Sequence, residues 1–380
     1  MFRVGRWIVL ALAVVALAVA VEGWRAFGHR AEGARKARME RSPQWRDGHF
    51  VNPQDIVNHG WEMLTDALDA SDLGRPEPAL AVEPIEAGRF ATLPSSGLRV
   101  TWLGHSSSLI EIDGLRVLTD PMWSERVGPV RGVGPTRWFP PVIALDALPP
   151  IDAVVVSHDH FDHCDMATLV AMKAWKTRFV VPLGVGAHLE YWGIPADRIV
   201  ELDWWEETAL GALRIVASPA RHASGRSLFD RDATLWASYS LVGPTHRVFF
   251  SGDTGLFPAL ADIGTRLGPF DLTMIEIGQY DAAWPDWHIG PEQAVVAHTM
   301  LRGKRLLPVH WGLLALAYHG WTEPIERVVM AAEGAHAALL TPKPGQSVEP
   351  DLVPETVRWW PAIPWRTAEQ APIVSSQLGP

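Results

Sequence analysis

The chain has 380 residues, a formal net charge of −10 and a hydrophobic fraction of 48%. That is enough apolar material for one large domain with extensions, and the acidic balance argues against a nucleic-acid partner, because phosphate binding needs a basic surface. The single cysteine, Cys164, excludes an intramolecular disulfide and a zinc–thiolate cluster. The nineteen tryptophans favour an apolar or amphipathic ligand.

The N-terminus has the pattern of an export signal. Arg3 and Arg6 precede an apolar run from Trp7 to Val21, which is short for a membrane span and normal for a signal peptide. Ala18-Val19-Ala20 resembles a small-x-small cleavage site. Residues 1–21 are therefore predicted to be a signal peptide or an uncleaved signal anchor. In either case we expect an exported protein in the periplasm or at the cell envelope.

Three further regions follow. Residues 22–91 are predicted to be an N-terminal extension with a helical apolar period over 55–68, and residues 351–380 a tail rich in proline and tryptophan. Between them, residues 92–350 alternate strand-like apolar runs with helical patterns, which is typical of an α/β domain. Leu235 to Leu241 and Ala337 to Leu340 are among the predicted strands.

The strongest chemical signal is the stretch from Ser157 to Asp165, which follows an apolar run directly. It contains His158, His160, Asp162 and His163 within six consecutive positions. Imidazole and carboxylate are common metal ligands, and side chains two apart point the same way on extended backbone. The spacing suits two metal ions side by side better than one. The simpler alternative is a polar loop with coincidental histidines. Asp165, at the end, is predicted to cap a helix.

Further candidate ligands stand where later predicted strands end. Because strand ends of an α/β fold converge on one edge, these residues are expected to meet the opening stretch there. They are His222, Asp253 and His310. Two ions about 3.5 to 4 Å apart can clamp a displacement and generate hydroxide near neutral pH. A bridging carboxylate must hold such a pair together, and Asp253, in a Gly-Asp-Thr-Gly turn, is the candidate.

The order of these residues resembles the metallo-β-lactamase superfamily over about residues 93 to 350. That family implies an α/β fold of four layers, an αββα sandwich, with a dinuclear site at one edge. The resemblance implies two Zn²⁺ per chain and a hydroxide between them as the nucleophile. The first ion would be held by His158, His160 and His222, the second by Asp162, His163 and His310, and Asp253 would bridge them.

A narrower resemblance is to N-acyl-phosphatidylethanolamine-hydrolysing phospholipase D and its bacterial relatives. It rests on motifs around the ligands: Thr101-Trp102-Leu103-Gly104-His105-Ser106, Thr119-Asp120-Pro121, Pro135-Thr136-Arg137-Trp138, Leu235-Trp236-Ala237-Ser238-Tyr239, His288-x-x-Pro291-Glu292-x-Ala294 and Pro308-Val309-His310-Trp311-Gly312. The subgroup implies a zinc phosphodiesterase that releases N-acylethanolamine and phosphatidate from a phospholipid at a membrane surface. Cys164 stands where an aliphatic residue is usual, and we interpret it as a small apolar filler.

Other polar residues are candidates for supporting roles. His288 resembles a histidine near the subgroup's site and is a candidate for holding a substrate phosphate, against a structural role at a helix entry. His105 and Glu276 are candidates for orienting ligands, and His319 for flanking the cleft. The remaining histidines weighed are predicted to lie on the surface or on helix faces: His188, His246, His298 and His336.

The long loop from Trp123 to Pro141 is also a candidate for substrate contact. Loops of this length in a compact domain are often functional. Its arginines are candidates for meeting an anionic head group, although exposed arginine is common. They are Arg126, Arg131 and Arg137.

The sequence thus predicts a membrane-facing metal-dependent phosphodiesterase with Asp162, Asp253 and His288 as catalytic residues, and it leaves a homodimer possible. One alternative is a lactonase or other small-molecule hydrolase of the same fold. Another is a non-catalytic envelope or regulatory protein, against which the complete ligand set argues. No G-x-S-x-G and no P-loop motif is present in the sequence, which weakens serine-hydrolase and nucleotide-binding interpretations.

Overall fold

The computed structural model describes most of the chain beyond the N-terminal segment. The predicted signal segment, residues 1–21, falls largely outside the described residues, and so does all of Ala18-Val19-Ala20. Among the described residues, no helix is both long and apolar enough to cross a bilayer. The described residues are 6–7, 13–14, 17, 21, 23–68, 70–80, 82, 84–86, 88–130, 132–352 and 357–376.

The N-terminal extension carries two short helices and a small hairpin. They are α1 (Gly33–Met39), β1 (Trp45–Arg46), β2 (His49–Phe50) and α2 (Gly60–Asp66). The predicted helix over 55–68 is therefore shorter than expected. Its apolar period also faces outward, since Trp61, Leu64 and Leu68 are 74%, 66% and 86% exposed. The pattern identified the helix, but it did not reveal that this apolar face has no partner among the described residues.

Two mixed β-sheets form the centre of the domain. The first sheet has seven strands in the order β15-β3-β4-β5-β6-β7-β8. They are β3 (Leu98–Gly104), β4 (Ser107–Ile112), β5 (Leu115–Thr119), β6 (Ala153–Val155), β7 (Arg178–Pro182), β8 (Ile199–Leu202) and β15 (Ser347–Val348). Strands β5 to β8 run parallel, and the other neighbours pair antiparallel.

The second sheet contains six strands, of which β12, β13 and β14 run parallel. They are β9 (Glu207–Leu210), β10 (Leu213–Ser218), β11 (Ser238–Val242), β12 (Arg247–Phe250), β13 (Leu272–Glu276) and β14 (Leu306–Val309). The main helices are α3 (Met166–Ala171), α4 (Val185–Tyr191), α5 (Ala259–Leu267), α6 (Pro291–Met300) and α7 (Glu323–Ala335).

Alternation along the strands places the sheets face to face and the helices outside. In and just after β6, Val154 and Val156 pack into an apolar cluster with Leu169 of α3. Val155 points the other way, into the larger cluster that contains Ile215 of the second sheet. Helices α5, α6 and α7 contribute to that larger cluster from the far side of the second sheet. The predicted αββα sandwich is confirmed.

Two predicted strands differ from the observed ones. The first begins later, at Ser238, because the backbone N–H groups of Leu235 and Ala237 donate to Leu183 and Ser157 rather than to a neighbouring strand. The second, predicted over 337–340, makes only an isolated bridge through Leu339. Both segments are apolar and buried like strands, so the hydrophobic pattern did not distinguish them.

Asp165 caps α3, as predicted, and also fixes the long loop. Its carboxylate accepts hydrogen bonds from Ala167 N at 3.2 Å, Ser124 Oγ at 2.8 Å and Thr168 Oγ1 at 2.5 Å. The backbone N–H of Trp123 donates to it at 3.2 Å. One buried carboxylate therefore joins the helix that follows the histidine-rich stretch to the start of the 123–141 loop.

We expect Asp165→Ala to lower the free energy of unfolding by about 2–4 kcal/mol, because it removes a helix cap and leaves buried donors unpaired. Asp165→Asn is the matched control, since its amide oxygen keeps the cap and should cost less. Urea unfolding followed by circular dichroism measures both. A loss under about 0.5 kcal/mol for the alanine variant would contradict this role.

Candidate active site

The predicted strand-end residues do meet at one edge of the sandwich. β6 leads to His158, β10 to His222, β12 to Asp253 and β14 to His310. All four are nearly inaccessible to solvent, at 1% to 3% exposed. The histidine-rich stretch and the later strand ends, more than 150 positions apart at the extremes, thus form one cluster.

The cluster contains two main sets of possible metal ligands, and Asp253 belongs to the first and lies against the second. In the first set, His158, His160, His222 and Asp253 offer ligand atoms that all lie within 4.8 Å of one another. His158 Nε2 is 2.8 Å from His160 Nδ1. These are the residues that the sequence assigns to the first ion, together with the bridging aspartate.

The second set combines Asp162, His163 and His310 with His105, again with ligand atoms within 4.8 Å of one another. Asp162 Oδ2 lies 3.2 Å from His163 Nε2 and 2.9 Å from His105 Nε2. The ring of His105 packs against that of His310, with centroids 4.1 Å apart. His105, a candidate for orienting ligands, therefore contacts two members of the set.

The Asp253 carboxylate lies between the two sets. Its oxygens are 3.2 Å from His163 Nε2 and from His310 Nδ1, and 3.7 Å and 3.8 Å from His222 Nε2 and His158 Nε2. This placement suits a bridging ligand. The turn needs glycine beside it, because Gly252 has φ of 56° and a Cβ there would lie 2.5 Å from Ser157 Cβ.

Burial and mutual proximity set the ionisation of the cluster. Burial and neighbouring histidines hold the pKa values of His158, His222 and His310 well below the usual value, which favours the neutral, ligand form of imidazole. Burial alone would lower the pKa of His163, but the surrounding aspartates raise it well above the usual value. Burial raises the pKa of Asp253 to about 6, partly offset by the charge of His163.

The residues fit a divalent metal. His163 Nε2 and Asp253 Oδ1 are buried and have no hydrogen-bond partner among the described residues, which is unfavourable for both atoms. A cation between them would satisfy a nitrogen lone pair and a carboxylate oxygen together. A mixed set of imidazoles and carboxylates is the donor chemistry that first-row divalent ions accept.

Asp120 is a supporting residue that the sequence reasoning missed as part of the site. It is fully buried and accepts hydrogen bonds from His163 Nδ1 at 2.6 Å and from Ser157 N at 2.7 Å. Such a carboxylate fixes the ring orientation of a ligand histidine and directs its other nitrogen inward. The signal was available, since Asp120 follows β5 just as the other site residues follow their strands. From the sequence it was recognised only as part of the Thr119-Asp120-Pro121 motif, and no role at the site was assigned to it.

His288 and Glu276 form a second supporting contact. His288 Nδ1 is 2.7 Å from Glu276 Oε2, and its ring lies 5.2 Å from that of His222 and 5.3 Å from that of His310. Asp253, Glu276, His288 and His310 also offer ligand atoms that all lie within 4.8 Å of one another, which makes them a third possible metal set. The expected placement of His288 beside the site, with Glu276 orienting it, agrees with this geometry.

Two other predictions are wrong, those for His319 and His246. His319 is buried, accepts a hydrogen bond from Gln279 N at 2.9 Å and stacks on Tyr280, so it does not flank an open cleft. Of the four histidines expected on surfaces or helix faces, His188 and His298 lie in α4 and α6 as predicted and His336 is exposed, but His246 is buried outside any helix, and three of the four are buried against specific partners. The buried ones are His188 with Asp159, His246 with Asp113 and His298 with Thr273.

The arginines of the 123–141 loop are less available than expected. Arg137 is buried and donates to the carbonyl oxygens of Phe139 and Trp123 at 2.7 and 3.1 Å, so it holds the loop together. Burial lowers its pKa to about 10. Arg126 donates to Gly134 O at 3.0 Å, and Arg131 lies outside the described residues. Cys164 is fully buried, which agrees with a filler role.

Comparisons with known proteins identify the family to which this fold and site are similar. The β-lactamase superfamily domain matches residues 115–311. An uncharacterised protein of Mycobacterium tuberculosis is 47% identical over 86% of this chain and 89% of its own. An N-acyl-phosphatidylethanolamine-hydrolysing phospholipase D of Caenorhabditis elegans is 36% identical over 69% of this chain and 80% of its own. The structure of a metallo hydrolase from Ignicoccus hospitalis has the same fold, with a TM-score of 0.51 at 22% identity over 66% of this chain and 97% of its own.

We expect Asp253→Ala to bind substantially less divalent metal than the unmodified chain, because the first ligand set loses a member and the second loses the carboxylate that lies against His163 and His310. Elemental analysis after gel filtration measures this. Asp72→Ala, which removes an exposed carboxylate that belongs to neither ligand set, is the control and should bind the normal amount of metal. Unchanged metal content in the Asp253 variant would contradict the site.

Metal affinity should fall as the pH falls. Because the pKa of His163 is raised well above its usual value and that of Asp253 to about 6, His163 holds a proton near neutral pH and Asp253 does so below about pH 6, and these protons must leave when metal binds. Each displaced proton weakens apparent affinity roughly tenfold per pH unit below the pKa of its group. Chelator competition at pH 5, 6, 7 and 8 measures this, and an affinity constant across that range would contradict the assignment.

Proposed function

The chain belongs to the β-lactamase superfamily, and we propose that within it the protein is a zinc-dependent phosphodiesterase of phospholipase D type. Its substrates would be N-acyl-phosphatidylethanolamine-like lipids. The observation that carries the proposal is the complete pair of ligand sets joined by Asp253. The metal-dependent hydrolase fold fixes the general chemistry, and the nematode relative, named for this lipid activity, supports the substrate class.

The ligand residues would hold two Zn²⁺, with Asp253 shared between them. Zinc bound there would supply Lewis acidity toward a phosphoryl oxygen and lower the pKa of water. Asp162 is held in place by His105, and His163 by Asp120, so the ligands are oriented before substrate arrives. The low accessibility of these side chains keeps competing bulk water from the ligand atoms.

His288 would contact the phosphodiester itself. Glu276 lies against its Nδ1 at 2.7 Å, which leaves Nε2 as the nitrogen free to bond a phosphoryl oxygen or the leaving group. The His288 side chain is 13% exposed, whereas those of Asp253 and His222 are 2% and 1% exposed. Of these three side chains, His288 is thus the one that a substrate reaches most readily.

Exposed apolar side chains support an amphiphilic substrate met at a membrane surface. Helix α2, which carries the outward apolar face, is hydrogen-bonded to the loops around the site. His59 N donates to Ala283 O at 2.8 Å, and Tyr318 Oη donates to Met63 O at 2.9 Å. In the segment that begins at His222, Leu228 and Phe229 are 94% and 84% exposed. Side chains of this kind lower their free energy by entering lipid.

The proposed location is the periplasm or cell envelope. It rests on the N-terminal pattern of two arginines followed by the apolar run from Trp7 to Val21. Membrane attachment through this segment would bring the exposed apolar side chains of the domain close to lipid.

Substrate profiling of the full chain loaded with zinc tests the proposal. We expect phosphatidate release from vesicles that contain N-acyl-phosphatidylethanolamine, and His288→Ala should lower kcat about a hundredfold while metal content stays the same. His336→Ala, at the exposed end of α7, is the matched control and should have normal activity. Turnover of a lactone panel without any phosphodiester turnover would contradict the proposal and favour the lactonase alternative.

A further inference from the structure

A buried ion pair lies directly behind the two loops that carry His222 and His288. Arg221 precedes His222, and Asp286 stands two residues before His288. Arg221 Nη1 is 2.8 Å from Asp286 Oδ1, and their side chains are 1% and 0% exposed. The loops also bond directly, since His222 Nδ1 donates to Trp287 O at 2.9 Å. The pair therefore sets how the two histidines stand relative to each other.

The tail end of the described chain completes this pair. Ser376 N donates to Asp286 Oδ1 at 2.8 Å, and Ser376 Oγ donates to Asp286 Oδ2. Arg221 in turn donates to Ser376 O at 3.2 Å and to Ser376 Oγ at 3.3 Å. One serine thus bonds both charges. A buried ion pair is unfavourable unless its remaining donors and acceptors are satisfied, so the pair depends on this contact.

The N-terminal extension bonds the same pair and one of the histidines from the other side. Arg221 Nη2 donates to Asp55 O at 2.6 Å, and Val57 N donates to Asp286 Oδ2 at 2.8 Å. Asn52 holds the backbone of His222 with both ends of its amide: Nδ2 donates to His222 O at 2.7 Å and Oδ1 accepts from His222 N at 3.2 Å.

Additional contacts fasten the tail to the His288 loop. Gln293, in the first turn of α6, donates to Ile373 O at 3.2 Å and to Ser375 Oγ at 3.0 Å. Ser375 Oγ donates to Pro285 O at 3.3 Å. The segment 373–376 therefore runs along the loop from Pro285 to Gly290 and ends on the ion pair.

We propose that the segments 52–57 and 373–376 form a clasp that positions His222 and His288, with Ser376 as its main positioning residue. The extension and the tail, which the sequence presents as peripheral, are then working parts of the site. Ser376 touches neither metal ligand nor substrate and acts through Asp286 and Arg221. The inference deepens the proposed function, on which only its kinetic test depends.

Metal affinity tests the clasp without any activity measurement. Ser376→Ala should weaken zinc affinity about tenfold, as loss of a residue that orients a ligand does, and Ser376→Thr should restore most of it. Ser96→Ala is the matched control. Ser96 Oγ donates to Leu98 O and to Glu349 at the start of β3, away from the edge of the sandwich that carries the ligands, so this variant should have unchanged zinc affinity. Chelator competition measures all three, and unchanged affinity in Ser376→Ala overturns the clasp.

A double-mutant cycle separates positioning from general destabilisation. With zinc saturating, so that weaker binding through His222 does not limit the rate, Ser376→Ala should lower kcat about tenfold in the unmodified chain and less than about twofold in His288→Ala, since the remaining effect passes through His288. An equal factor in both backgrounds overturns the positioning role. If Ser376→Ala lowers the melting temperature strongly, Gln293→Ala replaces it. This variant removes the hydrogen bonds that fasten the tail and leaves the ion pair intact, and its kcat is measured in both backgrounds. Absence of any phosphodiester turnover would overturn the proposed function, while the affinity test still decides the clasp.

Discussion

The site depends on one buried carboxylate. Asp253 is 3% exposed and stands within 4 Å of His158, His163, His222 and His310, which come from three separate strand ends. Without a cation, a charged group in such surroundings is unfavourable, and its raised pKa expresses that cost. The sandwich, its crowded edge and the tight turn at Gly252 serve to hold this carboxylate between two sets of imidazoles.

Around that carboxylate lies a layer of residues that hold ligands without being ligands. Asp120 orients His163, Ser106 Oγ lies 3.0 Å from His310 Nδ1, and Glu276 contacts His288. Asp120, His105 and His310 have positive φ values of 32°, 52° and 61°, conformations that non-glycine residues adopt at a cost. Part of the geometry of the site is therefore held by backbone in conformations of higher energy.

The sequence was sufficient to predict the fold class and which candidate ligands meet at one edge, but not the layer of residues behind them. Strand ends in an α/β fold converge, so His222, Asp253 and His310 could be joined to His158 from local patterns alone. Asp120 obeys the same rule, but it was recognised only as part of a motif and was not assigned to the site. Asn52 and Ser376 could not have been found, since their contacts span 170 and 155 positions and no local pattern records a bond to a distant backbone group. A single histidine in a sequence does not reveal its partner either, which explains the wrong placement of His246, whose ring contacts Asp113.

Anomalous diffraction at the zinc edge from crystals of the zinc-loaded full chain tests the dinuclear site most directly. We expect two peaks on either side of the Asp253 carboxylate, one beside His158, His160 and His222, the other beside Asp162, His163 and His310. A single peak, or a peak that does not touch Asp253, would contradict this assignment.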